Sequence, residues 1–94
     1  LAFYSVSNQL ITSNQDAVAK HFVTLYKITD PTNSEAWYFS AILNARAVLP
    51  AVAQADLLKA VGLGFNDKPR LEQQPEFRAA KVNIAAVESR MSAH

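Results

Sequence analysis

Few residues in this 94-residue chain are of types that do covalent chemistry. There is no Cys, which excludes thiolate nucleophiles, disulfides and thiolate zinc sites. His21 is the one internal imidazole. It falls off the apolar stripe Ala19, Phe22, Val23 and Tyr26, with no acidic partner at ligand spacing, and this predicts a surface histidine. His94 is terminal. Ser13 and Ser34 each precede a helical run and read as caps rather than nucleophiles. Glu72 and Glu76 are one helical turn apart, a spacing that suits paired carboxylates, but Pro75 interrupts it. Only two Gly are present, too few for a phosphate-cradling loop. These residues predict no catalytic set, no metal site and no cofactor.

Composition sets the class. Half of the chain is apolar and 18% is charged, the balance of a globular domain rather than a disordered one. The net charge is +1 and no block of like charge occurs, so nothing predicts a nucleic-acid surface or a polybasic membrane patch. The uncharged stretch from Ala36 to Ala45 is far too short to span a bilayer. The chain begins at Leu1 rather than Met, which suggests a fragment or a processed chain.

The elements that must position any site are helices. Phe3, Val6, Ser7 and Leu10 mark one face of a helix over residues 2–12. Ser13 and Asn14 are expected to cap a second helix, which reaches residue 28 and carries Ala19, Phe22, Val23 and Tyr26 on one face. Asp30-Pro31 ends it, because the residue before Pro is pushed out of the α region. Thr32-Asn33-Ser34-Glu35 reads as a capping box for a third helix, to residue 47. That helix is apolar nearly all round, so it is expected in the middle of the array. Pro50 opens a fourth helix, closed by Gly62 and Gly64. A short turn follows over 71–74. Pro75 then opens a fifth helix on which Phe77, Ala80, Ile84, Val87 and Met91 form a single stripe. No segment alternates as a strand does.

The chain repeats itself with a period of about 34 residues. Phe3 falls on Trp37, Ser7 on Ala41, Ala19 on Ala53 and Val23 on Leu57. With Leu10, Ala60 and the closing Pro31, these landmarks resemble the tetratricopeptide repeat. The resemblance covers residues 1 to about 67. It departs at Ser40, where an aliphatic residue is usual, at Asn44, where an aromatic is usual, at Tyr26 and at Phe65. Asn44, if buried, requires a hydrogen-bond partner. The remaining segment, Gly64 to Asp67 through Leu71, Pro75 and Phe77, is similar to the closing segment of repeat arrays in bacterial multidomain or envelope proteins.

The resemblance implies an all-α fold. Two stacked helical hairpins, residues 1–33 and 34–67, are followed by a closing segment and capping helix over 68–94, a fragment of an α-solenoid. It implies that the first helix of each hairpin lines a concave face. Tyr4, Asn8, Glu35, Tyr38, Ile42 and Arg46 would then bind a protein or peptide, or a second copy of the chain, without catalysis. That face is either open or filled by the fifth helix or a neighbouring repeat. The carboxylate clamp of some family members is not expected, since Tyr4 and Phe39 stand where Lys and Asn are wanted. The alternative is an accessory domain of a larger bacterial enzyme or envelope protein, which would place the chain in the cell envelope or periplasm.

Overall fold

The computed structural model describes residues 2–91, and among these the secondary structure is entirely helical. Four long helices come first: α1 (Phe3–Thr12), α2 (Asp16–Thr29), α3 (Ser34–Arg46) and α4 (Pro50–Gly62). Three short ones follow: α5 (Lys68–Gln73), α6 (Pro75–Ala79) and α7 (Ile84–Glu88). Each of α1 to α3 packs on the next in sequence, and α3 also touches α1 and α6. The all-round apolar character of α3 has this cause: Ala36, Tyr38, Phe39, Ser40, Ala41, Ile42 and Ala45 are all buried.

The turns after α1 and α3 share a backbone form that recurs after α4 at Gly64 and after α6 at Lys81. Asn14 and Val48 lie one period apart, and both take the left-handed conformation, at φ 59° and 58°. The hydrogen bonds around them match. Asn14 N–H donates to Ile11 O and Gln15 N–H to Leu10 O; likewise Val48 N–H donates to Ala45 O and Leu49 N–H to Asn44 O. These bonds satisfy carbonyls that the helix ends leave free. Small residues Ser7, Ala19, Ala41, Ala53 and Ala60 are fully buried, which lets the helix backbones come close.

Several local expectations are corrected. Ser13 and Asn14 do not cap α2; Gln15 is the N-cap, without a side-chain bond, and Ser13 Oγ donates back to Gln9 O. The cap of α3 is Asn33, neither Ser34 nor Thr32, the residue that opens the expected capping box. Asn33 Oδ1 accepts from Glu35 N–H, and the Glu35 side chain turns to Arg70 instead. Gly64 does take a positive φ, 111°, past the end of α4. Trp37 is only half-buried, so the fully buried aromatics of α3 are its neighbours Tyr38 and Phe39.

The single fifth helix is the largest correction. The segment breaks after α6 into a turn at Lys81, φ 61°, where Lys81 N–H donates to Arg78 O and Val82 N–H to Phe77 O. Asn83 then caps α7, its Oδ1 accepting from Ala86 N–H. Phe77, Ala80, Val87 and Met91 are buried all the same, because the turn folds both pieces back onto the core.

Candidate functional site

The six residues expected on a concave face divide into two kinds. Tyr38 and Ile42 are buried. Tyr38 is covered by the chain's own C-terminal segment: its ring stacks on Phe65 at 4.9 Å, meets the edge of Phe77 at 5.7 Å, and lies under the Arg70 guanidinium at 4.2 Å. Its hydroxyl donates to Gln74 Oε1 at 3.0 Å. Burial pushes that hydroxyl well above its ordinary range, with Arg70 opposing. Glu35 is held by Arg70, whose Nη1 donates to it at 2.9 Å.

Arg46 joins three further segments. Its Nη1 donates to Ile11 O at 2.9 Å and to Asp16 Oδ1 at 2.6 Å, and its Nε to Glu76 Oε2 at 3.0 Å. Along α3, then, the expected face is occupied by α5 and α6. Tyr4 and Asn8, on α1, are exposed. Tyr4 rests on the buried Phe39 ring, 5.3 Å between centroids.

Candidates for chemistry do not assemble. His21 is exposed on α2. His94 lies outside the described residues. Glu72 is not paired with Glu76 but with Glu88: a hydrogen bond from Glu72, then burial, hold the Glu88 carboxyl above its usual range. No cluster of three or more metal-ligating side chains occurs among the described residues. Nor is any helix in them long and apolar enough to cross a membrane.

A second site was not visible as such in the sequence. A groove of about 440 Å³ runs between α2 and the end of α3, lined by Lys20, Val23 and Lys27 on one side, by Leu43 and Asn44 on the other, and by the Asp16–Arg46 ion pair. A polar relay forms its floor. Lys27 Nζ donates to Ser40 Oγ at 2.9 Å, and Ser40 Oγ donates to Asp56 Oδ2 at 2.8 Å. Asn44 Nδ2 donates to the same oxygen at 2.7 Å. Asp56 is the partner that Asn44 required. The Ser40 oxygen receives the ammonium while its own proton is committed to Asp56, an arrangement that positions Lys27 and does not activate a nucleophile.

Lys27 and Lys59 also flank the Trp37 ring, at 4.6 and 5.5 Å from its centroid. The signal available in the sequence was the pair of departures at Ser40 and Asn44. Asp56 itself was hidden, because an Asp three residues before a Lys on a helix reads as a solvated pair. Comparison with protein-family models, with curated proteins and with solved structures finds no match to this chain.

Proposed function

We propose that this chain is a non-catalytic helical-repeat module, of the tetratricopeptide kind, that binds a protein or peptide. Support for the repeat comes from the positions that its period pairs, Ser7 with Ala41, Ala19 with Ala53 and Val23 with Leu57, which are all buried. Support for binding rests on one observation: Tyr4 is 46% exposed yet braced against a core ring, with Asn8 exposed one turn further along α1. An aromatic held in place before binding loses little entropy on contact, and such residues anchor interfaces. Of the six expected contact residues, Tyr4 and Asn8 remain free to meet a partner; Glu35 and Arg46 are half-buried in ion pairs.

The test is a double substitution, Tyr4→Ala with Asn8→Ala. Capture of a partner should fall by about tenfold or more, the loss of one anchor worth about 1.4 kcal/mol. The thermal midpoint should move little, since exposed positions change stability by about 0.5 kcal/mol. Undiminished capture would remove binding from this face.

A specific observation favours the accessory-domain reading as the second. Val18 and Leu25 on α2 are more than half exposed, beside the half-buried Phe22 of the same helix, whose ring lies 5.2 Å from Phe3 of α1. Such an apolar edge suits a module that packs against a further hairpin or domain.

A further inference from the structure

We infer that the groove between α2 and α3 is a docking site for an acidic peptide segment of a partner protein, with Lys20 and Lys27 as its cationic contacts. The inference rests on the reading of the chain as an interaction module, but it uses none of the residues of α1 on which that reading was placed.

Three observations carry it. The first is a concerted departure from the repeat. A shift by one period places Ser40 on Val6, Asn44 on Leu10 and Asp56 on Phe22. The first hairpin has an apolar trio at these positions; the second has a polar trio bonded to itself and to Lys27. An apolar trio would carry no desolvation cost. Burying Asp56, 8% exposed, carries one that its two hydrogen bonds offset. What the polar trio adds is an ammonium group fixed at the end of a groove.

Secondly, the charges are divided unevenly. The acidic groups of the packed body have partners: Asp16 and Glu76 on Arg46, Glu35 on Arg70, Asp30 on Asn33, and Asp67 on the α5 cap. Glu72 and Glu88 face each other on the C-terminal segment. Among the described residues, no carboxylate forms an ion pair with Lys20, Lys27 or Lys59. Lys20 and Lys27 line the groove two turns apart on α2, and the carboxylate that lines it, Asp16, is bound to Arg46; Lys59 stands with Lys27 at the Trp37 ring. A rim with excess positive charge in a nearly neutral molecule steers and selects an anionic partner.

The third is spacing. Lys20 and Lys27 are about 10 Å apart along the helix axis. Between them lie Val23 and, across the groove, Leu43. A ligand that satisfies both carries two carboxylates at about that separation with an apolar group between. In an extended chain alternate side chains share one face and each residue advances about 3.3 Å, so acidic residues four apart stand about 13 Å apart with an aliphatic residue midway, and the long lysine side chains splay to cover the remaining gap of about 3 Å.

The probe is the labelled peptide Glu-Ala-Leu-Ala-Glu, titrated into the whole chain. Binding is read by anisotropy and by the fluorescence of Trp37, the only tryptophan. Controls are the same peptide with Lys for Glu, and citrate. Saturable binding at or below about millimolar peptide is expected, weakened about tenfold or more by Lys20→Glu and by raised salt. Lys20 is exposed, so the fold should persist. Three results each overturn the inference: no binding at millimolar peptide, equal binding by the lysine peptide, or equal affinity in the Lys20→Glu variant. Citrate giving the same saturation would mark a small-anion site and also overturn it. None of these outcomes touches the Tyr4 and Asn8 test, so failure here and failure of the interaction reading are distinguishable.

Discussion

Val48 is the residue with the clearest unrelieved strain. A β-branched side chain at φ 58° crowds the following carbonyl, and 73% of the residue is exposed, so little packing compensates. Asn14 holds the equivalent place in the first hairpin, and its short polar side chain tolerates that conformation. Val48→Gly is therefore expected to raise stability by about 1 kcal/mol. Urea unfolding would check it, and a loss of stability would show that the Val48 side chain packs more than its exposure indicates. Trp37 and Tyr38 are neighbours on one turn of helix, and the period aligns Trp37, not Tyr38, with Phe3. Tyr38 takes the buried place because Phe65, Phe77 and Arg70 converge on it from later in the chain.

Among the elements, the C-terminal segment decides what the second hairpin can present. Helices α5 and α6 lie over α3, and α7 lies against α4. Phe77 is the fully buried anchor of α6, set at the edge of Tyr38. Phe77→Ala should cost about 3–5 kcal/mol, the usual loss for a large cavity in a core. That is a large share of the total for a small domain. If denaturant melts give less than about 1 kcal/mol, the closing segment is not part of the cooperative core. The break between α6 and α7 escaped detection for a physical reason. A stripe at 3-4 spacing requires only that its residues face the core, and a turn that reverses the chain keeps Phe77, Ala80, Val87 and Met91 inward just as a continuous helix does.

Across the whole molecule, Arg46 fastens α1, α2 and α6 to α3. Burial alone would raise the Glu76 carboxyl, but hydrogen bonds from Gln74, from its own backbone and from Arg46 lower it below its ordinary value of 4.5. A carboxylate with a lowered folded-state pKa stabilises the fold above its unfolded value and loses that contribution as pH falls through the folded one. Glu88 acts with the opposite sign, since its folded-state pKa is raised and its contribution is lost as pH rises. Comparing the chain with Glu76→Gln cancels the Glu88 effect. The variant should be less stable at neutral pH by about 1 kcal/mol, the scale of a partly exposed pair. The difference should shrink below about pH 4.5. A difference that is constant from neutral to acid would mean the Arg46 pair contributes nothing through charge.

From the amino-acid order alone follow the four long helices, α1 to α4, and their punctuation at Pro31, Pro50 and Gly64. These are local matters: each depends on residues within a turn or two, whose dihedral and hydrogen-bonding preferences act before any distant contact forms. Tertiary structure alone decided which faces stay open. Tyr4 and Tyr38 stand one period apart, but the return of the C-terminal segment over α3 covers Tyr38 and leaves Tyr4 exposed. Likewise Lys27, Ser40, Asn44 and Asp56 are scattered along the chain, and their relay exists only where three helices meet. Burial and pairing depend on what arrives from elsewhere, and no local pattern carries that information.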